Sequence, residues 1–166
     1  EMPRCFTFST VSTTGDSSPA IMIADGGGIL IADGGSFTTS GAMSQGIYSK
    51  GDVTVTNASV NALNAKAAVL KGNNTITLSG TILEGKETAD TIPYNIVLFS
   101  DEKDIGTMGT QHFDVRGGSL ISHKGGMFYV TATHGKISLN GTAITMDDPA
   151  ANLITCLLYT SPSPRD

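Results

Sequence analysis

The acidic residues between positions 84 and 112 are the first candidates for chemistry in this 166-residue chain. Carboxylate oxygens are the ligands that Ca²⁺ takes in proteins, so a group of them can form a calcium site. Lys86 and Lys103 lie among these acids and offset part of their charge, which favours a solvated loop as the alternative. The six acids are Glu84, Glu87, Asp90, Asp101, Glu102 and Asp104. Three of them, Asp101, Glu102 and Asp104, are also candidate ligand-binding residues. No other cofactor is indicated.

Asp114 and Arg116 form a second candidate, because they stand two residues apart in a segment where apolar and polar residues alternate. Alternation places both side chains on one outward face of a strand. An acid and a base on one face could take part in acid–base chemistry. An exposed ion pair that contributes little stability is the competing interpretation. Both residues are kept as ligand-binding candidates.

The histidines and aromatic residues give weaker signals. His112, His123 and His134 are eleven residues apart, which does not match the repeat described next, so we predict no shared metal site. The pairs Asp147-Asp148 and His134-Gly135 resemble fragments of hydrolase motifs but lack the other residues of those motifs, and we interpret them as turn residues.

Aromatic rings can serve as platforms for sugars, although strand alternation predicts that some of them face the core. The candidates are Tyr48, Phe99, Phe128 and Tyr129, of which Tyr129 is retained as a ligand-binding residue.

The elements that must position these side chains come from a repeat. One phrase recurs five times, the first time in a looser form: an apolar residue, a small or polar residue, another apolar residue, a turn, and one more apolar residue. The phrases begin at Leu30, Val53, Ile76, Phe113 and Ile137, in steps of 23, 23, 37 and 24 residues. A fixed period of this size is typical of a solenoid. The single enlarged unit contains residues 84–112.

Within each unit the alternation predicts short strands, and Gly, Asn, Asp and Ser predict the corners between them. Similar phrases one unit apart favour stacking of like on like, with parallel strands about 4.8 Å apart. The first residues of the phrases then form one interior column. A second interior column contains Ala32, Val55, Leu78, Val115 and Leu139. We therefore predict an all-β fold: a single-stranded, right-handed parallel β-helix of about five coils, truncated at both ends.

Composition limits the possible partners. Charged residues make up 15% of the chain, the net charge is −5, and there is no Trp. Without a basic cluster, nucleic acid and anionic membranes are poor partners. No apolar run reaches the ~18 residues that a membrane span requires. A surface of hydroxyl and amide groups favours glycans or other cell-surface ligands.

The segments around Gln45-Gly-Ile-Tyr-Ser49, Ala67-Ala-Val-Leu-Lys71 and Gly126-Met-Phe-Tyr-Val130 resemble right-handed parallel β-helix proteins of the pectin-lyase-like class. More narrowly, they are similar to adhesin-like and carbohydrate-binding β-helix proteins of gut anaerobic bacteria. The resemblance covers residues 16–155 and implies a secreted or surface protein. It says little about activity, because one fold serves many functions.

We divide the chain into an N-terminal edge at 1–15, a β-helix domain at 16–155 and a foreign tail at 156–166. The tail resembles the translated sequence of a sequencing-library adapter, so the chain is expected to be part of a longer one. The leading functional expectation is a non-enzymatic extracellular or cell-surface module, either adhesin-like or carbohydrate-binding. The alternatives are a polysaccharide lyase or hydrolase of the pectin-lyase-like class and a purely structural stalk.

Overall fold

The computed structural model describes residues 4–24, 27–86, 95–100, 110–131 and 134–156. These residues form strands joined by corners, and no helix occurs among them. The loops that enlarge the coil at 84–112 fall largely outside the described residues. The strands are β1 (Arg4–Thr13), β2 (Ile21–Ile23), β3 (Ile29–Thr39), β4 (Ile47–Ser49), β5 (Asp52–Thr56), β6 (Ser59–Ala62), β7 (Ala68–Lys71), β8 (Asn74–Ser79), β9 (Ile82–Gly85), β10 (Asn95–Ser100), β11 (Thr110–Arg116), β12 (Ser119–Ser122), β13 (Gly126–Val130), β14 (His134–Asn140), β15 (Ala143–Met146) and β16 (Ile154–Cys156).

The strands pair in parallel into two sheets that run along the stack of coils. One sheet contains β2, β4, β7, β10, β13 and β16, which we call the first wall. The other sheet has the order β14-β11-β8-β5-β3-β6-β9-β12-β15, with β1 paired to β3. It makes two walls, because the long strand β3 pairs with β5 along its first half and with β6 along its second. The second wall is β5, β8, β11 and β14, and the third is β6, β9, β12 and β15. The prediction of a parallel β-solenoid of about five coils is confirmed.

The register joins equivalent residues of successive units. Leu30 lies opposite Val53, Val53 opposite Ile76, Ile76 opposite Phe113, and Phe113 opposite Ile137. The second predicted column, from Ala32 to Leu139, is aligned in the same way. Both columns point inward, and three rings meet edge to face in the core beside the enlarged coil. Phe113 lies 6.4 Å from Phe99 and 5.9 Å from Phe128, measured between ring centroids. All three rings are fully buried.

Burial falls at the last coil of the stack. Leu78 and Val115 are fully buried, whereas Leu139 in the same column is 40% exposed. Leu153 and Ile154, where β16 begins at the same end of the stack, are 42% and 48% exposed. Interior positions at this end of the stack are therefore less buried than those with a coil on each side.

The corner between the second and third walls requires a left-handed backbone in every coil. Five aligned residues adopt positive φ there: Gly34 at 72°, Asn57 at 51°, Gly80 at 57°, Gly117 at 66° and Gly141 at 65°. Gly and Asn tolerate this conformation at the lowest cost, which explains why the predicted turns carry those residues. The corner fixes where the third wall begins and so positions the site described below.

Candidate functional site

The outward face at the end of the third wall gathers charged residues from several coils. Glu84 belongs to β9 and lies on its outward face, and Lys86 follows that strand at the corner. His123 and Asp147 follow β12 and β15 at the corresponding positions. Backbone hydrogen bonds fix this alignment: the amide of His123 donates to Gly85 O at 3.0 Å, and that of Asp147 donates to Ser122 O at 2.9 Å. Lys86, His123 and Asp147 therefore form one column along the corner.

His123 joins two carboxylates that belong to different coils. Its Nδ1 lies 2.7 Å from Asp147 Oδ2, and its Nε2 is in short hydrogen-bonding contact with Glu84 Oε1. These partners are 24 and 39 residues away in the sequence. The three side chains thus connect three successive coils outside the core.

The two carboxylates favour the charged form of the imidazole. The hydrogen bond with Glu84 raises the pKa of His123 above its usual 6.5, and the hydrogen bond with Asp147 adds to that rise. Partial burial opposes the rise in pKa by penalising the charged form. In the protonated ring both N–H groups donate, one to each carboxylate, so the whole arrangement is satisfied.

A cleft of about 420 Å³ opens beside this trio. Asn61, one coil before Glu84 in the register, contributes an amide to its wall. Leu63, which is 44% exposed, contributes an apolar side chain. Lys86, Glu84, His123 and Asp147 complete the lining together with Ala62. The cleft therefore presents amide, ammonium, imidazolium and carboxylate groups around one apolar side chain.

This arrangement is better suited to binding than to acid–base catalysis. Both nitrogens of His123 are engaged by carboxylates, so neither one is available to exchange a proton with a substrate. The two carboxylates also contact different nitrogens of the ring, so the imidazole and both carboxylates do not converge on one position that a reacting atom could occupy. Within the described ranges no group of three or more His, Cys, Asp or Glu residues is arranged to hold a metal ion.

The acidic residues predicted as calcium ligands are only partly covered by the structure. Glu84 is described, and its carboxylate contacts His123. Glu87, Asp90, Asp101, Glu102 and Asp104 lie outside the described residues. The calcium site therefore stays a prediction, as does ligand binding by Asp101, Glu102 and Asp104.

Asp114 and Arg116 lie together on the outward face of β11. Arg116 donates through Nη2 at 2.8 Å and through Nε at 3.2 Å to the same oxygen of Asp114. The Arg116 side chain is 66% exposed. The described contacts bring no further acid or base to this pair, so its geometry is that of an exposed ion pair.

His112 lies on the same face, opposite Lys136 in the register. Its Nε2 is 2.9 Å from the hydroxyl oxygen of Ser138 on the next coil. A histidine can activate a neighbouring serine as a nucleophile, but this also requires a third group that orients the imidazole ring. The described contacts show no such third group for His112. We interpret this pair as a link between coils.

Tyr129 is on a different wall from both the cleft and the Asp114 pair. It faces outward from β13, half-buried, between Leu98 and Thr155 in the register. Tyr48 also faces outward on the first wall, with Lys71 Nζ 5.6 Å from its ring centre. Phe99 and Phe128 are core residues and cannot be sugar platforms. The structure therefore does not bring the predicted ligand-binding residues Asp114, Arg116 and Tyr129 into one site.

The contact of His123 with Glu84 and Asp147 could not be predicted from the sequence motifs. Asp147 stands in a corner, as its interpretation as a turn residue requires, but its carboxylate also contacts His123. A signal is present in the repeat itself, because Lys86, His123 and Asp147 each stand ten residues after the start of a phrase. Asp148 fits the turn interpretation, since its Oδ1 accepts a hydrogen bond from the amide of Ala150 at 3.0 Å. The same interpretation is wrong for His134 and Gly135, which begin β14.

Comparisons of the chain with known protein families, with curated proteins and with solved structures found no match. The described residues contain no helix long and apolar enough to cross a membrane. The fold places the chain in the class of parallel β-solenoids. Its surface, and above all the cleft beside His123, is the feature of the chain that bears on function.

Proposed function

We propose that this chain is a non-enzymatic, extracellular or cell-surface module that binds glycans in the cleft beside His123. The observation that carries the proposal is the convergence of Asn61, Glu84, Lys86 and His123 from successive coils on one cleft of about 420 Å³. Sugar hydroxyls both donate and accept hydrogen bonds. Carboxylates supply acceptors, the Lys86 ammonium supplies donors, and the Asn61 amide supplies both, while His123 holds the two carboxylates in place.

The charges of the cleft indicate which glycans fit best. Glu84 and Asp147 contribute two negative charges and Lys86 one positive charge, and His123, whose charged form both carboxylates favour, adds a second positive charge when it is protonated. With His123 protonated the local charge is balanced, which favours neutral sugars over polyuronates. Leu63 offers an apolar surface for the C–H groups of one sugar face.

A glycan array with the whole chain, followed by calorimetric titration of the glycans that bind, tests the proposal. Lys86→Met and Asn61→Leu remove polar groups from the cleft, so each should weaken binding about tenfold, the loss expected for one or two hydrogen bonds. Lys136→Met is the matched control, because Lys136 is an exposed lysine on the second wall. Its affinity should equal that of the unchanged protein.

Three outcomes would contradict the proposal. If no neutral glycan binds, the purely structural stalk becomes the better explanation. If Lys86→Met and Lys136→Met behave alike, the cleft is not the binding site. If incubation with a polysaccharide releases reducing or unsaturated sugars, the chain is a hydrolase or lyase, which is the alternative predicted from the sequence.

A further inference from the structure

Two buried side-chain amides, those of Asn74 and Gln111, lie at matching positions inside the solenoid. Asn74 begins β8, and Gln111 follows the first residue of β11. They are register partners on neighbouring coils. Asn74 is 3% exposed and Gln111 is fully buried. The position next to Gln111 on the following coil is Gly135, so the amide pair is not continued by a third side chain.

The NH₂ groups of both amides are in use. Asn74 Nδ2 donates to Ser49 O at 2.8 Å and to Gly51 O at 3.2 Å. Gln111 Nε2 donates to Ser100 O at 2.7 Å. These contacts fix the orientation of each amide, because exchanging oxygen and nitrogen would place an oxygen against a backbone carbonyl.

The two amide oxygens, in contrast to the NH₂ groups, have no hydrogen-bond partner among the described residues. Asn74 Oδ1 and Gln111 Oε1 are both buried, and no donor of the protein lies within hydrogen-bonding distance of either in the part of the chain that the structure describes. Buried acceptors are almost always paired in folded proteins, since an unpaired one loses its hydrogen bond to water without replacement. Two such acceptors at matching positions of adjacent coils require a common explanation.

We propose that a buried water molecule binds between Asn74 and Gln111 and donates one O–H to each side-chain oxygen. A pair of acceptors selects a ligand that donates, and water has two O–H groups for two oxygens. Buried waters typically satisfy polar groups that the protein leaves unpaired. The amide oxygens carry no formal charge, so the site favours a neutral donor over a metal ion. This inference does not depend on the proposed glycan binding.

The proposed water stabilises the enlarged coil where it joins β11. Gln111 connects the two sides of the segment 101–109, because its amide holds Ser100 O on the far side. Asn74 connects in the same way to Ser49 and Gly51 of the preceding coil. A water between the two amides therefore links the enlarged coil to its regular neighbour inside the wall.

A high-resolution crystal structure of the unchanged protein is the direct test. We expect one density peak about 2.8 Å from both Asn74 Oδ1 and Gln111 Oε1, the usual distance for O–H···O. The absence of a peak, or a protein donor in its place, would overturn the proposal. A peak that gives an anomalous signal in crystals grown with RbCl would also overturn it, because the ligand would then be a monovalent cation.

A measurement in solution separates water from a cation independently. We expect the same melting temperature in NaCl, KCl and choline chloride at equal ionic strength, because water is present in all three. A higher melting temperature in NaCl or KCl alone would overturn the proposal. Gln111→Met removes one acceptor while keeping a similar volume, so its crystal structure should lack the peak. A peak that persists there would show that Gln111 does not bind it.

Discussion

Asp147 Oδ2 lies 2.7 Å from Nδ1 of His123, and the two residues are 24 positions apart, which is one coil of the solenoid. Side chains that meet in this way belong to different coils and cannot form their contact until two coils have stacked. With Glu84 on the other ring nitrogen, the contact extends over three coils. The contact therefore forms only when the coils are stacked, and it makes the stability of the stacked coils depend on pH.

Stability should fall as the pH rises through the pKa of His123. Its pKa in the folded protein is raised above 6.5, so the stabilisation is complete below about pH 6.5 and is lost as the ring deprotonates at higher pH. The side chain is 35% exposed, so solvent screening limits the effect to about 0.5 kcal/mol. Urea unfolding at a series of pH values measures it.

His123→Gln should remove this slope from the pH profile, whereas His134→Gln should retain it. His134 is exposed and serves as the matched control. A profile that is the same in the unchanged protein and in His123→Gln would show that the trio does not contribute.

The middle and the last position of one interior column should respond differently to the same substitution. Leu78→Ala removes a fully buried side chain and should cost about 2–5 kcal/mol. Leu139→Ala, in the same column but 40% exposed, should cost about 1 kcal/mol or less. Chemical denaturation of both variants gives the difference. Equal costs would mean that something covers the last coil in solution.

Two adjacent glycines provide a test of the corner. Gly117 and Gly118 have the same φ of 66°, but a Cβ on Gly117 would meet its nearest atom at 3.9 Å, whereas one on Gly118 would lie 2.1 Å from Thr81 O. Gly117→Ala should cost about 1–2 kcal/mol, because alanine disfavours the left-handed conformation by that amount. Gly118→Ala adds a backbone clash and should cost about 3 kcal/mol or more. Similar melting temperatures for the two variants would contradict this packing.

Removal of the exposed ion pair should have almost no effect on folding. Arg116→Gln breaks the contact with Asp114, but the arginine side chain is 66% exposed. The free energy of unfolding should change by less than about 0.5 kcal/mol. A loss above about 1 kcal/mol would instead indicate that Asp114 needs its partner, since the Asp114 side chain is only 14% exposed.

The fold is predictable because its signal is repeated. Each inward residue of β8 has a counterpart one unit away, so Val53 and Ile76 can be aligned by the 23-residue period of the sequence alone. The corners are predictable for the same reason, since Asn57 and Gly80 stand at equivalent positions and both tolerate positive φ. A pattern that recurs in several coils averages out the ambiguity of any single one.

The site is harder to predict because it does not repeat. The corner position that holds His123 is occupied by Leu63 and Lys86 on other coils, so no regular pattern marks it. Its partner Glu84 is displaced by one coil and two residues, which only the three-dimensional register reveals. The unpaired oxygens of Asn74 and Gln111 are equally hidden, because the sequence does not show which way a side-chain amide points.

The parallel register also restricts how such a chain can change length during evolution. Every coil contacts its neighbours through matching residues, so insertion of one residue into β8 would move Ile76 and Leu78 out of their columns. Insertion of a complete unit would leave all columns intact, and extra residues in a corner would extend only a loop. We therefore expect insertions and deletions among related chains to come in whole coils or to fall in corners, as the enlarged unit at 84–112 already does.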